Sequence, residues 1–411
     1  MKRRHFLRTG LAAASAPILG GMPFEVGPLA AAASGDRERP RLRDLGIIIG
    51  SLPTAKHNAI TDVPGVRVGH ATLIRGEGPL VPGKGPVRTG VTAIVPNGEV
   101  WHHPVAAADW TLNGNGELTG LGPLRRTGLL GSPIFFTDTG CVGTVYDAAM
   151  GHLLEHDPQL FSNAPFRPEP VVGETWAGFL NDTAGRHVGA AQVRLALAAA
   201  ADHGNGEVAE GSVGGGTGMR AYGFKAGIGT ASRVITCTAG DGEESQPTAR
   251  QYTLGVLVQA NHGRRHQLLV QGVPVGAEIT DLLPIPGAAG GHSLLIAIAT
   301  DAPLLPIQLQ RLCKRAALGM ARTGGISTHG SGDLSIAFST AAPPGGKKAE
   351  GEMLHFSQIT QFHQAVVEAT EEAIYNALSA ARTMVGRDGN RIFALPLDRF
   401  VEVMRRHGRL K

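Results

Sequence analysis

Cysteine is scarce in this chain of 411 residues, which has only Cys141, Cys237 and Cys313. An odd count at such wide spacing argues against a disulfide framework and a cysteine-held zinc cluster, and leaves the three as small core residues. Aromatic residues make up 5% of the chain, too few for the stacking platforms of a single-strand nucleic-acid binder. Charge is also thin and unevenly placed. Lys2, Arg3, Arg4 and Arg8 against Glu25 hold +3 of the net +4 in the first 33 residues, leaving +1 for the rest. That balance does not support a nucleic-acid footprint. Beyond the N-terminus no stretch approaches ~18 apolar residues free of charge, so no further membrane span is expected. Long linkers, repeats and low-complexity blocks are missing from about Asp44 to Arg406, which favours one large domain.

Hydrophobic residues are present at 42%, enough to bury a large core and too many for a disordered chain. Glycine, at 58 residues, is about twice its average share of ~7%. Without a G-X-Y period it signifies tight turns and close backbone approaches. At the start, Lys2-Arg3-Arg4-His5-Phe6-Leu7-Arg8 precedes a small-residue apolar run from Leu11 to Leu19, and Ala31-Ala32-Ala33 offers a cleavage site near Ser34. The segment resembles a twin-arginine signal over residues 1–33, which implies a mature domain over 34–411 in the periplasm or outside the cell.

Strand-like runs recur at Leu45–Gly50, Val66–Ile74, Val91–Pro96, Val234–Thr238, Tyr252–Ala260, Gln267–Val273, Ser293–Thr300 and Asp333–Ser339. Helical spacing marks Val145–Glu155, Ala190–Ala201, Pro306–Arg322 and Phe362–Met384. Helices segregate from runs of strands, which predicts layered α+β packing. Ala341–Glu352 reads as an exposed loop before the last of these helices. The glycine clusters carry no phosphate motif: Gly214-Gly215-Gly216-Thr217-Gly218 lacks the Lys-Ser/Thr ending of a P-loop.

His152-Leu153-Leu154-Glu155-His156 fits H-x-x-E-H, which on a helix sets two imidazoles one turn apart. It ends directly in Asp157-Pro158, so His156 falls at a helix terminus, and a solvated helix end is the favoured reading over a zinc site. The chemically suggestive segment is Pro284 to Ser293, a Gly/Ala/Pro loop that runs straight into the apolar strand Leu294–Thr300. One account is a turn capped by Ser293. The other is self-processing, in which the Ser293 hydroxyl attacks the His292 carbonyl and an N→O acyl shift and hydrolysis follow. Ser293 would then carry a nucleophilic oxygen beside a free α-amine titrating near ~8, which can act as its base.

Four segments, with an earlier run from Asn58 to Gly69, carry a resemblance across nearly the whole mature chain. They are Gly-Ser-Val-Gly-Gly-Gly-Thr-Gly-Met (211–219), Tyr222 to Arg233, Ser293 to Leu304 and Ser331 to Thr340. Together they resemble the DmpA-like family of L-aminopeptidase/D-amidase-esterases and β-peptidyl aminopeptidases. The resemblance implies a four-layer αββα sandwich, like that of N-terminal-nucleophile hydrolases but with different connections. It also implies cleavage into an α subunit (34–292) and a β subunit (293–411), with no metal or organic cofactor. The processed αβ heterodimers would form a homo-oligomer that removes N-terminal residues from small peptides, amides or esters with a free amine. By the same resemblance Ser293 is the nucleophile, Ser331 and Asp333 position and polarise it, and Asn261 serves the oxyanion. Glu174 receives the substrate amine, and Trp176 occupies a variable pocket position. His292 departs from the pattern by preceding the serine in place of Gly or Asn. Two other readings remain: an acyltransferase resembling ornithine acetyltransferase, and an exported peptide-binding protein that has lost the chemistry.

Overall fold

A strand that is apolar on both faces must lie between two layers, and Ser293–Thr300 is buried at every position. In the computed structural model of the chain, the described residues are 39–160, 162, 168–239, 248–286, 292–341, 354 and 358–410. The expected signal segment, the Gly287–Gly291 cluster and nearly all of the Ala341–Glu352 loop lie outside them.

The strands are β1 (Arg67–Arg75), β2 (Val87–Val95), β3 (Val105–Gly114), β4 (Leu129–Leu130), β5 (Ile134–Asp138), β6 (Val171–Thr175), β7 (Arg220–Ala221), β8 (Phe224–Lys225), β9 (Ile228–Ala239), β10 (Thr248–Asn261), β11 (Ser293–Thr300) and β12 (Gly332–Ser339). The helices are α1 (Leu121–Thr127), α2 (Val142–His156), α3 (Ala190–His203), α4 (Val275–Glu278), α5 (Pro306–Arg322), α6 (Ile359–Ser379) and α7 (Leu397–Arg406). Of the two large sheets one has the order β1-β2-β5-β6 and the other β4-β3-β12-β11-β10-β9, while β7 and β8 pair separately. Among these, β5/β6 and β11/β12 pair in parallel and the rest are antiparallel.

Side-chain alternation builds the layers. Leu295, Ala297, Leu334 and Ile336 face the other sheet and meet Ile94, Ile134, Phe136 and Val171. Leu294, Ile296 and Ile298 point the opposite way, into a core with Leu312, Ala316, Phe362 and Ile374 of α5 and α6. On the far side Ala71, Val91, Ala93 and Phe135 pack against Val145, Val193 and Ala196 of α2 and α3. The order is therefore helix, sheet, sheet, helix, the αββα sandwich that the resemblance implied.

Each helix layer seats on its sheet at a glycine. A Cβ on Gly69 would lie 2.1 Å from the Ala196 carbonyl oxygen, and one on Gly229 would lie 2.0 Å from that of Ala373. The Gly214–Gly216 turn is similarly wedged: a Cβ on Gly215 would meet Gln259 Oε1 at 2.2 Å and the Phe136 oxygen at 2.3 Å. Its amides donate to Thr72 and Thr92 hydroxyls rather than to a phosphate, at 2.8 Å from Gly214 and 3.2 Å from Gly215. The cysteines are free and buried.

Two expected strands are corrected. Within Leu45–Gly50, Leu45 ends a 3-10 turn and Gly46 and Gly50 take positive φ (+84° and +76°), which leaves three residues, with Ile47 and Ile49 buried and Ile48 exposed. Their carbonyls, however, accept from side chains: Arg233 Nη2 reaches the Ile49 oxygen at 2.8 Å and Gln271 Nε2 the Ile48 oxygen at 2.8 Å. Gln267–Val273 is broken by a turn at Gln271 (φ +48°) and Gly272 (φ +80°), which leaves a single Val270–Val273 bridge. The long helix also ends at Ser379 rather than Met384, which belongs to a short strand pair with Ile392.

Candidate active site

The register of β11 decides what stands beside its first residue. Ser293 lies opposite Asn261, the last residue of β10, and beside Gly332, the first of β12. The Gly332 amide donates to Ser293 Oγ at 3.2 Å and to the His292 carbonyl oxygen at 3.0 Å. One N–H thus faces both the hydroxyl and the peptide carbonyl that precedes it. Only glycine fits there, because a Cβ would lie 2.8 Å from the Asn115 oxygen.

Asn261 is buried, with its amide held at both ends. Its Oδ1 accepts from the Arg220 backbone amide at 3.1 Å and its Nδ2 donates to the Trp176 carbonyl at 3.2 Å. A primary amide has two N–H groups, so one remains. Glu174, near the end of β6, is buried. It accepts from the Glu117 amide at 3.2 Å through Oε1 and from the Thr139 hydroxyl through Oε2. Burial raises its pKa above the usual carboxylate range, with the two hydrogen bonds opposing. These residues line one cleft of about 460 Å³, together with Asn115, Gly116, Trp176, Arg220 and His292. Trp176 is 49% exposed and forms part of its wall.

Ser331 and Asp333 meet each other, with Ser331 Oγ donating to Asp333 Oδ1 at 2.7 Å. Ser327 donates to the other carboxylate oxygen. The pair lines a small hollow with His262 and Thr328, next to the cleft rather than in it. With the His292–Ser293 bond intact, neither side chain hydrogen-bonds Ser293 among the described residues. Burial raises the Asp333 pKa, while the Ser327 and Ser331 hydroxyls and the Leu294 amide hold it down. The His292 imidazole lies 3.3 Å from Thr328 Oγ1. Burial, then the charges of Arg220 and Arg264, lower its pKa, so it is neutral at neutral pH.

Thr139, Glu117, Arg220 and Ser327 join the site without a signal in the sequence, because only the fold brings their loops together. The H-x-x-E-H segment is turned elsewhere. Glu155 pairs with Arg194 at 2.9 Å, and His156 Nδ1 lies 2.8 Å from the carbonyl oxygen of His152. No group of three metal-ligating side chains converges among the described residues.

The layer order, and a serine opening a central strand beside an amide and a carboxylate, define a hydrolase of N-terminal-nucleophile architecture. The chain belongs to peptidase family S58, whose sequence model matches residues 58–392. It is 44% identical over 399 residues to beta-peptidyl aminopeptidase BapA of Sphingosinicella microcystinivorans, covering 93% of this chain and 96% of that one. Among solved structures it resembles a Burkholderia sp. beta-aminopeptidase at 44% identity and a TM-score of 0.75, over 90% of this chain and 99% of that one. It also resembles the l-aminopeptidase d-ala-esterase/amidase of Ochrobactrum anthropi at 39% identity and a TM-score of 0.80, over 91% and 100% of the two chains. That enzyme is described as a prototype for the serine aminopeptidases and a new variant among the Ntn hydrolase fold. The chain is accordingly a hydrolase, a serine aminopeptidase of this fold.

Proposed function

We propose that Ser293 is the nucleophile and that it becomes N-terminal when the chain cuts its own His292–Ser293 bond. The observation that carries this reading is the Gly332 amide, 3.0 Å from the His292 oxygen and 3.2 Å from Ser293 Oγ. In the cut, Oγ adds to the His292 carbonyl carbon, the C–N bond breaks and the acyl group passes to oxygen. Water then hydrolyses the ester, leaving a His292 carboxylate and a free Ser293 α-amine. An N–H already aimed at the carbonyl oxygen stabilises the oxyanion of that step.

In turnover the α-amine takes the hydroxyl proton as Oγ attacks the substrate carbonyl. The remaining N–H of Asn261 meets the oxyanion, the leaving amine collects the proton, and water releases the acyl group. Glu174 holds the substrate's ammonium, which restricts cleavage to the N-terminal residue. Asp333, steadied by Ser331, holds the α-ammonium of Ser293 from the neighbouring hollow, and Trp176 limits the side chain admitted. Substrates are short peptides, amides or esters with a free amine. The two BapA relatives, each 44% identical and each called a beta-peptidyl aminopeptidase, support β-amino residues as a class accepted here. The paired arginines at Arg3-Arg4 support export. Ile307 and Leu318, exposed on α5, offer apolar surface for a homo-oligomer.

The test is a panel of L-, D- and β-homo-aminoacyl p-nitroanilides. The wild type is expected to hydrolyse at least one member, and Ser293→Ala to lose at least about 1000-fold in kcat. A Ser293→Ala enzyme of near-normal rate would overturn the assignment.

A further inference from the structure

Buried guanidinium groups are costly unless their N–H groups are used, and among the described residues all but one of the buried arginines use them. Arg233 donates to Glu368, Glu372 and the backbone carbonyls of Ile49 and Ser232. Arg265 stacks on Phe224 and donates to five backbone carbonyls. Arg41 bonds Glu210 and the carbonyls of Asn58 and Thr230. Arg88 donates to the carbonyls of Val385, Arg75 and Val87.

Arg220 is the exception. It is 6% exposed, yet its guanidinium makes no hydrogen bond or ion pair among the described residues, and Nη1 is fully shielded without an acceptor. Its carbon sits 4.5 Å from the Phe179 ring centroid, a cation–π contact that uses none of its N–H groups as hydrogen-bond donors. With no carboxylate to oppose it, burial pulls its pKa down to about 10, so it remains charged at neutral pH. The residue lines the Ser293 cleft, and its backbone amide is bonded to the side chain of Asn261. The same cleft therefore holds a buried carboxylate, Glu174, and an unpaired buried cation. A planar fork of this kind matches a carboxylate in bidentate fashion.

We propose that Arg220 binds the C-terminal carboxylate of the substrate, so that the cleft selects dipeptides with both termini free over amidated or longer chains. The proposal rests on the reading of this cleft as the aminopeptidase site and narrows its substrate class. Glu174 takes the ammonium, the scissile bond lies over Ser293, and the carboxylate one residue beyond it takes up the idle N–H groups. An amide or a third residue removes the charge from that position and leaves the guanidinium unpaired.

The test pairs each dipeptide with its C-terminal amide and a tripeptide, using L-Ala, D-Ala and β-Ala as first residue and L-Ala thereafter. For the accepted first residue, kcat/KM for the free dipeptide is expected to exceed that for its amide by about 10- to 100-fold, the range for a hydrogen-bonded charge. In Arg220→Met the ratio falls toward unity, and Arg220→Lys restores part of it. In parallel, melting of the wild-type protein is followed with a reduced-bond Ala-Ala analogue that cannot be hydrolysed, as acid and as amide. The acid is expected to give the larger upward shift, and Arg220→Met to abolish the difference. Equal kcat/KM and equal melting shifts for acid and amide in the wild type would overturn the proposal, even if neither variant folds. A preference for the acid that survives in Arg220→Met would do the same. Acid-selective melting shifts without hydrolysis of any substrate would sink the aminopeptidase reading and spare the carboxylate site. Hydrolysis without acid preference would do the reverse.

Discussion

In the proposed reaction Glu174 carries function at the expense of stability. Its carboxylate is buried and its pKa is raised, with burial the largest cause. The ionised form therefore costs stability at pH above that raised pKa, and the cost disappears as acid protonates the group. Glu174→Gln keeps the shape and can still accept from the Glu117 amide. Its melting temperature is expected to exceed the wild type's at pH 7–8, with the gain shrinking as pH falls into the ordinary carboxylate range. The same change removes the proposed partner of the substrate's ammonium, and kcat/KM is expected to drop by about 10- to 100-fold. Scanning calorimetry across pH, beside steady-state kinetics, checks both; a variant with lower melting temperature and unaltered kcat/KM contradicts both. Ser293 stood out in the sequence because a glycine-rich loop runs straight into an apolar strand there, whereas Ser331 and Asp333 were found through the family resemblance. Asn261 and Glu174 were visible only through family resemblance, since an Asn at a strand end and a Glu in a short run are ordinary. Arg220 was not visible at all. What sets it apart is the absence of a partner among the described residues, a property of the packed structure.

At the scale of elements, the helix layers depend on missing side chains. Gly229 of β9 lies under α6, where a Cβ would sit 2.0 Å from the Ala373 oxygen and 2.6 Å from the Ala377 nitrogen. Gly229→Ala must push the helix outward and is expected to cost about 1–3 kcal/mol. Gly151, within α2, has nothing within 4 Å of its Cβ position, so Gly151→Ala is expected to stabilise by about 0.5–1 kcal/mol through helix propensity. Denaturant melts of the two variants should move in opposite directions; a Gly229→Ala protein as stable as the wild type would mean that α6 does not seat there. The same packing explains what was legible. Long apolar strands such as Ser293–Thr300 and Tyr252–Ala260 declared themselves. Val105–Gly114 escaped notice because alanine and Asp109 dilute its apolar pattern, and Ile134–Asp138 and Val171–Thr175 because five residues are too few to show a period. The helix Leu397–Arg406 did carry a signal, with Leu397, Phe400, Val403 and Met404 on one stripe. Leu45–Gly50 imitates a strand because Ile47 and Ile49 are buried and Ile48 exposed, but turns at Gly46 and Gly50 bound it and side chains satisfy its carbonyls in place of a neighbour.

For the molecule as a whole, the sandwich brings ends of strands from both sheets to one cleft. Glu174 comes from the four-stranded sheet, and Asn261 and Ser293 from the six-stranded one. Neither sheet alone holds both the proposed partner of the amine and the proposed nucleophile. Under the proposed mechanism cleavage of one bond governs activity, since in the continuous chain the nitrogen of Ser293 is an amide and cannot act as a base. The decisive measurement is N-terminal sequencing, with intact mass, of purified active protein after incubation at neutral pH. Two chains are expected, one beginning Ser-Leu-Leu-Ile, whose 119 residues weigh about 12 kDa of the 42.7 kDa total. A single chain uncut at Ser293 that still hydrolyses substrate at full rate would contradict it.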